Sequence, residues 1–212
     1  MSAPVVEIDR KVESSKAAAI VAAARRELDV NGIVGLRVQE VSRVANCSVS
    51  LIYRHFTSRE GLIAEVLTED LTTNIAKWGV IADALEAGTG PIDVDAIIRQ
   101  LPMSDSPEVS RVRWTRVQAL ASSIDNTVLR ARLTELASSL QRQTTRIVEQ
   151  LIMRNGVKRP FDVQAFTLLS NTFALMAIQN ELLPDAERIN EERMHAFMCD
   201  MVGRYFGPDT DH

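Results

Sequence analysis

Apolar positions recur along this chain at spacings of three and four, and no stretch alternates in twos. Ala17, Ile20, Val21, Ala24 and Leu28 make one stripe, which predicts an amphipathic helix from about Ser14 to Asn31, ended by Gly32. Residues 1–13 mix charges without a period and are expected to form a flexible arm. Two short stripes come next: Val38, Val41 and Ala45, then Val49, Ile52, Tyr53 and Phe56. Asn46-Cys47-Ser48 separates them; Asn tolerates the left-handed backbone of a tight turn, and Ser48 is placed to cap the helix that follows. Short helices joined this way form a helix-turn-helix, whose second helix is narrow enough to enter the major groove. DNA binding is therefore the first hypothesis.

Thr57-Ser58 should cap a fourth helix, with Glu60 in its first turn and Leu62, Ile63, Val66, Leu67 and Leu71 leading toward Trp78. Gly88 to Pro91 and Pro102 to Pro107 punctuate the chain as loops. Between and after them the pattern predicts helices over Val94–Leu101, Pro107–Ile124 and about Asn126–Arg154. Pro160–Asn180 is apolar over more than one face. A last helix, reaching about Phe206, carries Met194, Phe197, Met198, Met201, Val202 and Tyr205 on one stripe. The expected class is all-α: an N-terminal three-helix helix-turn-helix domain over 14–58, plus a larger helical domain over 59–212.

Composition narrows the function. Aromatic residues are 5% and charged residues 25% of the 212, ordinary for a globular protein and leaning toward helix over sheet. Net charge is −4, yet residues 1–60 hold nine Lys/Arg against seven Asp/Glu, so the head is mildly basic on an acidic body. Cys47 and Cys199 lie far apart and suggest no disulfide framework. No signal peptide and no membrane span is expected, since the longest apolar run is Ala17–Ala24; a cytoplasmic location follows.

With these elements in place, the sequence resembles the tetracycline-repressor (TetR) family of bacterial transcription regulators. The likeness rests on Ala22 through Leu28, Asn31-Gly32, Val38 through Ala45 and, most specifically, Ser48 through Leu62, where Ile52-Tyr53-Arg54-His55-Phe56 precedes Ser58-Arg59-Glu60. Departures are Leu36, where the family usually has a Thr that caps the second helix, Asn46 and Ser50, where glycine is common, and Leu51, which replaces a small polar residue. The resemblance implies a repressor that binds palindromic operator DNA as a homodimer and is released by a small molecule.

Residue roles follow. Val49, Ser50, Leu51 and Arg54 are expected to meet base edges: Arg54 could pair with guanine, and Leu51 or Val49 could meet a thymine methyl. By resemblance Gln39 adds a base or phosphate contact, and Ser48, Tyr53, His55 and Arg59 hold phosphates. Phe56 belongs to the core. The partner chain is expected on Phe166, Leu169, Phe173, Met194, Phe197, Met198, Met201 and Tyr205, two copies of whose helices would make a four-helix bundle. An effector pocket implied by the resemblance would draw on Trp78, Met103, Trp114, Val117, Leu120 and Phe173, while Arg111, Arg113 and Arg116 read as a solvated face.

Enzyme activity is not expected. The chain has three histidines, and no Gly-rich phosphate loop, His-Glu-x-x-His or Cys-x-x-Cys pair. Glu191, His195 and Cys199 line one face of the last helix, but without a fourth ligand this reads as packing, so no metal or cofactor is expected.

Overall fold

The computed structural model describes residues 4–101, 106–158, 160 and 162–206, with side chains described throughout these except at 4–13, 173–176 and 205. The helices are α1 (Pro4–Gly35), α2 (Val38–Val44), α3 (Val49–Phe56), α4 (Arg59–Ala87), α5 (Val94–Ile98), α6 (Pro107–Ser122), α7 (Thr127–Arg154), α8 (Val163–Glu181) and α9 (Glu191–Phe206). The fold is all-α, with no strand among the described residues. Gly32 breaks α1 with a φ of 68°, a left-handed conformation that suits glycine. α1 begins at Pro4, inside the stretch expected to be an arm. A polar, charge-mixed segment needs no stripe of its own to extend a helix already nucleated by the apolar turns after it.

The chain divides into two units, Met1–Glu69 with Ala119–Leu133, and Asp70–Gln118 with Thr134–His212. The first is larger than the expected 14–58. Its core gathers Ile20, Ala24, Val41, Ile52, Leu62 and Val66 with Ala119 and Leu129, so the end of α6 and the start of α7 belong to the helix-turn-helix unit. Each such fully buried aliphatic side chain contributes about 1.5–3 kcal/mol. The second unit has its own core, in which Ile75, Trp78 and Ala82 of α4 meet Leu136, Leu140, Ile147 and Leu151 of α7 and Met198, Val202 and Phe206 of α9.

Arginines close several helix ends. α1, α4, α6 and α8 carry no basic residue in their last turns. Each receives a guanidinium from elsewhere in its own unit. Arg59 donates to the carbonyls of Ile33, Val34 and Leu36. Arg154 reaches those of Leu85, Thr89 and Gly90, Arg130 those of Ser123 and Ile124, and Arg188 those of Glu181 and Leu183. Terminal carbonyls lack intrahelical partners and carry the negative end of the helix dipole, so a planar cation satisfies both needs.

Candidate nucleic-acid interface and ligand cavity

The turn before α3 is built as its sequence predicts. Asn46 has φ 48°, in the left-handed region. Ser48 is extended, and its Oγ accepts the N–H of Leu51 at 3.1 Å, capping α3. The Cys47 N–H donates to the Ser42 carbonyl at 3.0 Å, and Ser42 Oγ returns a bond to the Cys47 carbonyl. Burial pushes the Cys47 thiol above its usual pKa. Ile52 is fully buried, which fixes the rotation of α3 and turns Ser50, Tyr53 and Arg54 outward, Tyr53 at 42% exposure. Ser48 and Gln39 are exposed as well, and Leu51 is half-buried. α3 contains no acidic residue, so nothing on it repels phosphate.

Three expected DNA contacts are placed differently. Val49 packs against the first core, because it shares the face of Ile52, and offers little surface to a base. His55 is half-buried against Phe56, ring centroids 6.0 Å apart, and its Nε2 is buried without a partner among the described residues. Arg59 spends its guanidinium on the carbonyls of Ile33 and Val34 at the end of α1 and of Leu36 just beyond it. This also answers the missing Thr cap. Leu36 is buried, Arg37 sits at the N-cap of α2 without a side-chain cap bond, and Arg59 braces the junction instead.

The α3–α4 connection is tight. Thr57 has φ 65° and ψ −44°, and the Ser58 N–H donates to the Phe56 carbonyl at 2.7 Å, the bonding pattern of a γ-turn. That turn drives the Phe56 carbonyl toward α4: a Cβ at Gly61 would lie 2.1 Å from it, so only glycine fits. Ser58 Oγ accepts the Gly61 N–H at 3.0 Å and caps α4, as its position predicted.

In the second unit a cavity of about 110 Å³ opens among α4, α5, α6, α7, α8 and α9. Its wall is mainly apolar, with Trp78, Val94, Ile97, Leu140, Ile147, Phe166, Met198, Val202 and Phe206 among the lining. Phe166 and Phe206 meet edge to face at 5.4 Å. The polar lining is Asn74, Thr144, Ser170, Asn171 and Arg116. Asn74 accepts from Trp78 Nε1 at 3.0 Å, and Asn171 donates to Gln141 and Thr144. Arg116 has no hydrogen bond or ion pair among the described residues, and burial pulls its pKa below the usual arginine value.

Among the described residues, Trp78 is the one expected pocket residue that lines this cavity. Trp114 is exposed and donates to Glu181 at 2.8 Å; Leu120 is exposed and Val117 lies outside the lining. Met103 and the side chains of Phe173 and Tyr205 lie outside the described residues. The three arginines of α6 do not form one solvated face. At about 100° per residue, Arg113 and Arg116 stand roughly 200° and 140° around the helix from Arg111. Arg111 is exposed, Arg113 is 3% exposed and paired with Glu181, and Arg116 lines the cavity. The sequence hinted at a cavity only through Asn171, a polar residue midway along the apolar α8.

The expected partner-facing residues also separate. Phe166 and Met198 line the cavity, Phe166 half-buried and Met198 fully buried, so Met198 offers no surface to a second chain. Leu168, Leu169 and Phe197 are 64%, 53% and 57% exposed, while Met194 and Met201 are half-buried. On α9, His195 and Cys199 meet Asp95 of α5, a neighbour that helical spacing could not reveal, in place of Glu191. Burial first, then Asp95, pushes the Cys199 thiol up to about 11.

A capped helix-turn-helix stands at the head of an all-helical chain. Residues 20–66 match the family model described as "Bacterial regulatory proteins, tetR family". Solved structures share the fold over most of the chain. A protein described as a TetR-family transcriptional regulator from Rhodococcus sp. is 21% identical, with a TM-score of 0.68 over 92% of this chain and 100% of that one. PfmR from Thermus thermophilus, also of the TetR family, is 21% identical with a TM-score of 0.55 over 87% and 97%. A transcriptional regulator from Saccharomonospora viridis, solved in complex with choline, is 16% identical with a TM-score of 0.64 over 89% and 96%. No curated protein matches the chain. Among the described residues, no helix is long and apolar enough to cross a membrane.

Proposed function

We propose that this chain is a ligand-responsive transcriptional regulator, a repressor acting in the cytoplasm. It binds palindromic operator DNA as a homodimer and is released when a small molecule fills the cavity of the second unit. The observation that carries the reading is the outward edge of α3, where Ser50, Tyr53 and Arg54 stand exposed beside the Ser48 cap. Arg54 pairs with a guanine edge and Leu51 meets a thymine methyl, while Ser48, Tyr53 and Gln39 hold backbone and register. An eight-residue helix spans few base pairs, so two heads are needed, their reading helices about 34–36 Å apart or a multiple of it. The exposed Leu168, Leu169 and Phe197 supply apolar surface for a bundle of two α8 and two α9 helices.

The cavity, with apolar walls and one guanidinium unpartnered among the described residues, suits a small organic anion whose acidic group pairs with Arg116. The Saccharomonospora protein was solved in complex with choline, a cation, whereas the guanidinium in this cavity favours an anion. Release requires that the ligand favour one conformation of the dimer over the other.

The test is a mobility-shift assay on sequences selected from a random DNA pool. Tyr53→Phe should weaken binding to all sequences alike and leave the salt slope unchanged, because it removes a hydrogen bond and no charge; Arg54→Ala should cost about 1–3 kcal/mol and relax one base position. If both variants bind as the parent does at raised salt, the interface lies elsewhere.

A further inference from the structure

We propose that Asp95, His195 and Cys199 form a binding site for a divalent transition-metal ion of the zinc class, with a fourth coordination position left open. His195 and Cys199 lie one turn apart on α9, and the loop-capped α5 brings Asp95 across to them. Three distances define the site: His195 Nε2 to Asp95 Oδ1, 3.1 Å; Cys199 Sγ to Asp95 Oδ1, 3.1 Å; and Cys199 Sγ to His195 Nε2, 3.6 Å. A tetrahedral zinc ion, about 2.0–2.1 Å from nitrogen and oxygen and about 2.3 Å from sulfur, requires donor separations of roughly 3.3–3.6 Å. Shifts of a few tenths of an ångström would admit the ion.

The donor set selects the metal. One sulfur, one imidazole nitrogen and one carboxylate oxygen favour zinc and its transition-metal neighbours over magnesium or calcium, which prefer oxygen alone. The surroundings orient the donors. Arg99 Nε donates to Asp95 Oδ2 at 2.7 Å, which fixes the carboxylate and leaves Oδ1 toward the histidine and cysteine. Asp93 caps α5 through the Asp95 and Ala96 N–H groups. Beside His195 runs a groove lined also by Ile98, Arg99, Leu101, Glu191 and Glu192, the side from which a fourth ligand would enter. Three protein ligands with an open place are the pattern of an exchangeable site, in contrast to closed four-ligand structural sites.

Binding is a proton-for-metal exchange at sulfur: the Cys199 S–H bond breaks, a sulfur–metal bond forms, and the proton passes to solvent. The ion would join α5 to α9, and both helices wall the cavity, through Val94 and Ile97 on one and Met198 and Val202 on the other. Metal would thereby tighten the chamber assigned above to the effector; only this consequence, and not the site itself, rests on that assignment.

The experiment uses the full chain stripped with chelator and titrated with Co²⁺, then with Zn²⁺ in competition. The expected result is one equivalent per chain, a thiolate-to-cobalt charge-transfer band and the visible bands of tetrahedral cobalt, all bleached by zinc. Cys199→Ser should abolish the charge-transfer band and weaken uptake at least 100-fold, with the far-ultraviolet circular dichroism unchanged. Arg99→Ala keeps all three ligands and should weaken uptake about tenfold. Absence of the charge-transfer band in excess metal overturns the proposal, as does uptake unaltered in both Cys199→Ser and Asp95→Asn. Operator binding is scored separately: its loss with intact cobalt spectra would count against the operator reading and leave the ion site standing.

Discussion

Among single residues, the most vulnerable position is a buried charge. Arg113 is 3% exposed and paired to Glu181, which also accepts from Ser110 and from Trp114. Burial works to raise the pKa of Glu181, but the bonds from Ser110, Arg113 and Trp114 outweigh it and hold the carboxyl below its ordinary value. Glu181→Ala should therefore cost about 3–5 kcal/mol, since it removes the carboxylate paired with a buried guanidinium. Because the folded pKa is depressed, the stabilisation is complete above the ordinary carboxylate range and is lost as pH falls through the lower folded value. Denaturant unfolding from pH 7 down to pH 3 should show the parent losing stability on that acid limb, with a shallower loss in Glu181→Gln. Equal slopes in the two proteins would show that Glu181 does not titrate with folding.

At the level of helices, the three-and-four periodicity made most elements legible, because stripes such as Leu129-Leu133-Leu136-Leu140 face a core. What bounds the helices was less visible. Asn46 and Ser48 announce their turn through local chemistry, whereas the γ-turn at Thr57 comes from tertiary closure that no β-branched residue signals. The imported arginine caps are equally silent, since Arg59 and Arg154 lie 23 or more residues from the carbonyls they serve. The expected pocket failed for a related reason: rotation of α6 decides whether Trp114 or Arg116 faces inward, and a stripe of mixed polarity does not specify rotation. Arg154 gives a clean test of the caps. Arg154→Lys keeps the charge but loses the planar fork across Leu85, Thr89 and Gly90, and should lower stability by about 1–2 kcal/mol in chemical denaturation. An unchanged midpoint would reduce the clamp to a surface contact.

For the whole molecule, the basic charge of the head and the apolar face proposed for the partner fall on different units. The head carries the mildly basic balance noted from the sequence, and the exposed apolar residues Leu168, Leu169 and Phe197 lie on α8 and α9. The class of fold and the reading helix were legible because both depend on local pattern. The cavity and the Asp95 cluster were not, because each joins residues far apart in the chain. If α8 and α9 carry the partner, Leu169→Glu should convert the dimer to monomer in sedimentation at micromolar concentration and reduce operator affinity, while the isolated fold keeps its circular dichroism. A dimer that survives this change would move the interface to another surface.

Arg59 opens α4 while gripping the backbone at the end of α1, just ahead of α2. Any displacement of the first turn of α4 is thereby handed to the whole reading assembly at once, like a handle fixed to a block. An inducing molecule would then change how far apart two intact heads stand and leave what each head recognises untouched. Binding sites enriched with and without such a molecule would yield the same half-site motif; different motifs would mean that the block deforms internally.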